Sequence, residues 1–358
     1  MPDPNVPAPN EHHLIAFAGC DYLGLSKHPD VIQTIRDALP ELGVSTGASR
    51  TTTGNHPAYD LLESTASEFF ASEAAVLTLD GSLANSAALE GIAAMEEGLD
   101  RVVIIDELAH PSLTNAARVS GFRIERYRHR DALHAGELVE RTSATSSSVV
   151  IVTDAVFAAT GVLAPLRTLA EIAERRSAWL VIDDCHGTGT RGSNGRGSLS
   201  AESLAISDQV VMTTTLAKGV GVAGGIIGSR EELGTAIRSR ATAYIATTPI
   251  PPALAVGSTT ALSLMAHDHA RHDRLSRNVK RAHELVTEAG FHPIAAAGPI
   301  IAFAADNPDA ITAHCRDRGV LVPTIAYPGG PSERYIRLAV NSEHTEDDLK
   351  QLAQALRS

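Results

Sequence analysis

Lysine is nearly missing from this chain: 358 residues hold only four, at Lys27, Lys218, Lys280 and Lys350. Arginine and acid do the solubilising, so an isolated lysine is available for another task. Cysteine is rarer still. Cys20, Cys185 and Cys315 are far apart, without a C-x-x-C pair or an even set. That excludes a disulfide framework and predicts a reducing, cytoplasmic setting. No apolar run reaches the ~18 residues of a membrane helix, so no membrane partner is expected. Positive charge is not in excess. The formal net charge is -12, which argues against nucleic acid as a partner. The first residues are proline-rich with no apolar core, which predicts a loose tail over 1–16 and no signal peptide.

What is present is apolar, at 44 % of the residues, and the length allows two domains. Apolar runs at 74–79, 102–105, 149–153, 180–183, 209–212 and 225–227 read as strands. Helix-period segments at 57–71, 83–95, 111–119 and 166–176 alternate with them. Continuous apolar strands alternating with helices predict an α/β fold with a large central, mostly parallel sheet. Loops at the carboxyl ends of such strands would form one crevice. The pattern changes near Pro249, Pro251 and Pro252. A large domain over 17–250, whose first ~25 residues could pack with the smaller one, is therefore expected to precede an α+β domain over 251–358. That smaller domain would hold one long helix at 253–290, short strands at 300–304, 320–322 and 335–340, and a last helix at 346–356. Dense Ser and Thr at 142–148 predict a loop.

Four segments carry chemistry. Lys218 sits in Thr-Thr-Thr-Leu-Ala-Lys-Gly-Val-Gly (213–221), just beyond a buried strand. A lysine there, where arginine would not serve, suits Schiff-base chemistry. Trp-Leu-Val-Ile-Asp-Asp-Cys-His-Gly-Thr-Gly (179–189) delivers Asp183 at a strand end and His186 in a glycine-bounded turn. A buried carboxylate needs a cationic or hydrogen-bonded partner. The protonated ring nitrogen of pyridoxal phosphate (PLP) would be one, and the pairing makes that ring an electron sink. A turn-capping aspartate fits the same residues. Leu-Asp-Gly-Ser-Leu-Ala-Asn (79–85) is a strand–turn–helix whose first amides, at Gly81 and Ser82, could hold a phosphate or form an ordinary cap. Asp-Glu-Leu-Ala-His-Pro-Ser-Leu (106–113) places His110 before a helix begun by Pro111, either as a cap or lying flat on a cofactor ring.

Cys-Asp-Tyr-Leu-Gly-Leu (20–25), Thr-Gly-Ala-Ser-Arg-Thr-Thr-Thr-Gly (46–54), Asp-Asp-Cys-His-Gly-Thr-Gly (183–189) and Thr-Leu-Ala-Lys-Gly-Val-Gly (215–221) resemble the signatures of the α-oxoamine synthases, in order and over nearly the whole chain. The resemblance implies the aspartate-aminotransferase-like fold, fold type I of the PLP-dependent transferases. It implies an acyltransferase that condenses an amino acid with an acyl thioester, carried on coenzyme A or an acyl carrier protein. Carbon dioxide is lost and an α-amino ketone remains. It also implies roles. Lys218 would bind the cofactor covalently and move protons at the substrate Cα. Asp183 would meet the ring nitrogen, His186 the ring hydroxyl, and His110 the ring face. Gly81, Ser82 and Thr215 would lie near the phosphate, joined by Thr248 from the other subunit of a homodimer. Arg337 would receive the amino-acid carboxylate.

The chain departs from the family pattern at three places. Cys20 stands where an Asn near the substrate is usual, Ala158 where a Ser is common, and Ser82 where an aromatic residue is frequent. With the short lead before Cys20, the changes at Cys20 and Ala158 motivate an alternative: a PLP-dependent aldolase, racemase or aminotransferase acting without an acyl donor. Other signals carry less. Gly-Val-Gly-Val-Ala-Gly (219–224) matches a dinucleotide fingerprint but runs into a strand and lacks the later acidic residue. His267, His269 and His272, expected on one helix, fit a solvated face better than a metal site, and no metal is expected. Cys185 fits a packed thiol.

Overall fold

A computed structural model describes residues 14–143, 148–296 and 298–357. Thirteen residues of the expected tail, and 144–147 of the expected loop, lie outside the described residues.

Seven strands form the main sheet: β1 (Ala74–Thr78), β2 (Arg101–Asp106), β3 (Arg123–Tyr127), β4 (Ser148–Asp154), β5 (Trp179–Asp183), β6 (Val210–Thr215) and β7 (Gly225–Ser229). Their spatial order is β1-β7-β6-β5-β4-β2-β3. β7 runs antiparallel to both neighbours, and every other pairing is parallel. β4 and β6 are buried at every residue. Helices cover both faces of such strands, which is why they read as unbroken apolar runs. The edge strand β3 has no such signature. Its sequence Arg-Ile-Glu-Arg-Tyr is partly exposed, and charged side chains protect a sheet edge from further pairing.

Several strands deliver polar side chains at their carboxyl ends: Asp106, Asp154, Asp183 and Thr215 close β2, β4, β5 and β6. Two helices start beside them. Helix α1 (Gly81–Met95) follows β1, and its N-cap Asp80 accepts the Leu83 amide at 2.8 Å. Helix α2 (Pro111–Val119) follows β2 with His110 as N-cap and Pro111 in its first turn. Proline suits that position because its missing N–H would be unsatisfied in any case. The inner face of α1, with Ala84, Ala88, Leu89 and Ile92, packs into the same core as Val103, Val152, Val181 and Val211 of the sheet.

The chain separates into two compact units. The larger comprises Leu25–Val156 and Ala164–Asp268, and holds the main sheet. The smaller comprises the described residues through Gly24, then Phe157–Leu163, and the chain from His269. Its sheet has the order β9-β10-β8, all antiparallel, from β8 (Ile300–Phe303), β9 (Thr324–Ile325) and β10 (Tyr335–Ala339). Ile15–Ala16 pairs in parallel with Val320–Leu321, so the first described residues belong to this unit. Phe17 lies in its core with Phe303, Leu338 and Leu352.

The long helix expected at 253–290 is two helices, Pro252–His267 and His269–Glu288. They are separated by Asp268 at φ -86°, ψ 73°, so the three histidines do not share one helix. The first of these helices lies in the larger unit. The prolines that suggested a boundary instead start it, with Pro251 as N-cap and Pro252 in the first turn. Among the described residues, no helix is long and apolar enough to cross a membrane.

Candidate active site

The carboxyl ends of the parallel strands surround a cavity of about 300 Å³. Its walls include Gly81, His110, Asp183, His186, Thr215 and Lys218. Six of the positions expected to matter thus meet in one place, and Ser82 lines it too.

Lys218 sits three residues past the end of β6, which runs on to Thr215 rather than stopping at 212. Its Nζ lies 3.0 Å from His186 Nε2. The Lys218 loop and the His186 loop cross closely. A Cβ on Gly189 would sit 2.9 Å from Gly219 Cα, and one on Gly219 would sit 2.3 Å from the Thr188 carbonyl oxygen. Only paired glycines allow that approach, which holds the amine against the imidazole.

Asp183 is 4 % exposed. Its Oδ1 accepts the Cys185 amide at 3.0 Å, and its Oδ2 accepts Asn85 Nδ2 at 2.8 Å. A buried carboxylate held by neutral donors suits a cationic group presented from the cavity. Asp154 lies opposite Asp183 in the β4–β5 register. Burial, reinforced by the Asp183 charge, pushes the Asp154 carboxyl well above its usual range. Its Oδ2 accepts the His110 amide at 2.8 Å. Burial also lowers the His110 pKa; the Asp183 charge opposes this, and the Lys218 charge adds to it. The net direction favours the neutral His110 imidazole.

Helix α1 points its N-terminus at the same cavity. Asp80 takes the Leu83 amide with its side chain and the Ala84 amide with its carbonyl. The amides of Gly81 and Ser82 stand ahead of these in the first turn, where helix N–H groups lack intrahelical partners. A Cβ on Gly81 would lie 3.0 Å from Thr215 Cβ and 3.1 Å from Cys185 Sγ. Glycine is thus what lets the helix start close onto the end of β6. Thr215 Oγ accepts the Ala217 amide at 3.2 Å.

Cys185 lines the cavity as well, but burial pushes its thiol well above the ordinary value. It is a packed thiol and not a thiolate nucleophile. Thr248 is exposed and does not line the cavity. Cys20 and Arg337 belong to the smaller unit. There Arg337 Nη1 donates to the Ala158 carbonyl at 2.9 Å, while its buried Nε has no partner among the described residues.

Sequence reasoning missed Asn85, Ser112, Asp154 and Thr213. Asn85 left one usable mark, a lone amide on the otherwise apolar inner face of α1.

A family model described as aminotransferase class I and II matches residues 12–356. The 8-amino-7-oxononanoate synthase of Stutzerimonas stutzeri is 34 % identical over 347 residues, covering 96 % of this chain and 87 % of its own. That of Pseudomonas entomophila is 35 % identical over the same length and the same shares. Among solved structures, Sphingomonas wittichii serine palmitoyltransferase superposes with a TM-score of 0.88 at 23 % identity, covering 100 % of this chain and 90 % of its own. The 8-amino-7-oxononanoate synthase of Francisella tularensis gives 0.78 at 21 % identity, over 96 % and 97 %. At these identities the structural likeness is one of fold.

Proposed function

Because the chain belongs to the aminotransferase class I and II family, and within it to the α-oxoamine synthases, we propose that the cavity beside Lys218 joins an amino acid to an acyl thioester. PLP is the cofactor, and the residues present fit it. One cavity gathers an amine, a buried carboxylate, two imidazoles and a helix N-terminus freed of side chain at Gly81. When bound, PLP supplies an electron sink for negative charge developing at the amino-acid Cα.

The chain's own groups supply the rest. Lys218 would hold the cofactor through Nζ and would move a proton at the amino-acid Cα. His186, whose Nε2 lies 3.0 Å from that nitrogen, would orient it and serve the ring hydroxyl. Asp183, acceptor-only when ionised, would serve the protonated ring nitrogen. His110 would serve the ring face. The Gly81 and Ser82 amides and Thr215 would receive the phosphate. Arg337, whose Nε has no partner among the described residues, would receive the amino-acid carboxylate, as the family resemblance implies.

The net reaction forms a bond from Cα to the acyl carbon and breaks the acyl–sulfur bond. The thiolate leaves and takes up a proton. The Cα–carboxylate bond breaks to release carbon dioxide. The relatives' named product is itself an α-amino ketone, and its CH3–CH(NH2) end equals alanine less carbon dioxide. Alanine is accordingly the first amino acid to supply, with a seven-carbon acyl thioester on coenzyme A or a carrier protein. A cytoplasmic homodimer completes the proposal. Thr248, exposed on this chain, would reach the partner's phosphate site.

The observation that carries the reading is the Lys218–His186 contact inside a cavity that also holds Asp183. Borohydride reduction of the native protein, followed by peptide mapping, should place a pyridoxyl mass on Lys218. Finding that mass elsewhere or nowhere overturns the reading. Turnover of an amino acid with no thioester present would return the aldolase, racemase or aminotransferase alternative.

A further inference from the structure

Behind the cavity, Asn85 is 1 % exposed, and each of its polar atoms is engaged. Nδ2 lies 2.8 Å from Asp183 Oδ2 and 3.0 Å from Ser112 Oγ. Oδ1 receives Thr213 Oγ at 2.5 Å. Ser112 Oγ in turn is 2.7 Å from His110 Nδ1, and the Ser112 amide is 3.3 Å from that nitrogen.

Directions along this chain of bonds are fixed by chemistry. An ionised carboxylate only accepts, so the Asn85 atom facing Asp183 is the amide nitrogen. That nitrogen only donates, so Ser112 Oγ accepts from it. The one proton of Ser112 Oγ is then left for His110 Nδ1. With the Ser112 amide aimed at the same atom, Nδ1 carries no proton, and the ring proton sits on Nε2. Asp183 and Lys218 act on His110 through their charges, and Asp154 holds its backbone amide.

We propose that Asn85 is a positioning residue that sets two walls of the cavity at once, locking the Asp183 carboxylate directly and the Nε2–H form of His110 through Ser112. The proposal rests on the cavity being the PLP site for its purpose, but not for its geometry. One side-chain amide holds both the carboxylate that would serve the ring nitrogen and, through Ser112, the imidazole that would serve the ring face. The two arms can be cut separately. Ser112→Ala removes the donor to His110 and leaves the bond from Asn85 to Asp183. Thr213→Val removes the group that orients Asn85, and Asn85→Ala removes both arms.

The test uses the full chain labelled with 15N-histidine, with His110→Gln to identify the His110 signals. In the wild type, Nδ1 should show the shift of an unprotonated acceptor and Nε2 that of a protonated nitrogen. In Ser112→Ala the two nitrogens should move towards averaged values, with PLP affinity changed less than threefold. Asn85→Ala should move the His110 signals and also weaken PLP binding about tenfold, the scale of losing one bond to a charged group. Thr213→Val should do the same in smaller measure, and Thr213→Ser should restore it. Wild-type-like His110 shifts in Ser112→Ala and Asn85→Ala, with only a lower Tm, would overturn the proposal. The nitrogen shifts are read whether or not PLP is bound, so failure of the cofactor reading leaves this result standing by itself.

Discussion

Asp184 offers the sharpest test of the electrostatics under the cavity. It is 1 % exposed and boxed in by backbone. A Cβ on Gly187 would sit 1.9 Å from its Oδ1, and one on Gly197 would sit 2.1 Å from its Oδ2. Oδ2 accepts the Ser198 amide at 2.7 Å, and Oδ1 has no partner among the described residues. Burial pushes its pKa from the ordinary 3.8 up to about 7, with the bonds to Ser198 holding back part of the rise. Between pH 3.8 and about 7 the folded chain therefore keeps a proton that the unfolded chain has lost. That contribution to stability is present at low pH and disappears as pH rises through 7. At pH 5, two units below the folded-state value, it amounts to about 3 kcal/mol at roughly 1.4 kcal/mol per unit; at pH 8 it is close to zero. Asp184→Asn keeps an acceptor for the Ser198 amide and cannot titrate. Guanidinium unfolding of wild type and variant at both pH values isolates the group. The stability of the variant relative to wild type should improve by about 3 kcal/mol between pH 5 and pH 8. Equal gaps at the two pH values would refute the reasoning.

Two further outcomes follow from contacts at the cavity and beside it. Gly81→Ala forces a Cβ to 3.0 Å from Thr215 Cβ and 3.1 Å from Cys185 Sγ, so the helix start must retreat. Equilibrium titration should show PLP affinity down by about tenfold, the cost of disturbing one charge-assisted phosphate contact. Arg337→Ala should raise KM for the amino acid by about tenfold or more with a smaller change in kcat, as expected when a carboxylate loses a charged partner. Arg337→Lys should recover part of that loss, because an ammonium keeps the charge and gives up the bidentate fork.

The main sheet was legible because its strands are buried on both faces. Six of its seven showed as apolar runs, and the structure moves their ends by no more than three residues. The seventh, Arg123–Tyr127, was not, because an edge strand is half wet and its charges hide the alternation. The break at Asp268 escaped notice too. Helical periodicity continues on both sides of it, and one non-helical ψ leaves no mark in composition. Pro251 and Pro252 interrupt a strand–helix pattern in the sequence; in the structure they open the helix Pro252–His267, as a proline in the first turn can. Lys218, Asp183 and His186 stood out in the sequence because each type suits one task, and the structure brings the three to one cavity. Asn85, Ser112 and Thr213 did not, since each is an ordinary polar residue until the sheet brings positions 85, 112 and 213 within hydrogen-bond reach of one another.

Two residues had offered a choice between a structural and a chemical role, and their caps are compatible with both. Asp80 caps α1 by taking the Leu83 amide; the same bond fixes the helix start at the cavity wall, with Gly81 and Ser82 ahead of it. His110 caps α2 through Nδ1; by doing so it spends that nitrogen as an acceptor, which keeps the ring neutral and its proton on Nε2. A cap needs an acceptor and a cofactor wall needs a fixed orientation, and the helix end supplies both from a single contact. In an open α/β sheet, helices that follow strands begin where ligands bind. Caps at those positions should therefore be weighed as parts of the site, because the geometry that satisfies the helix also aims the side chain.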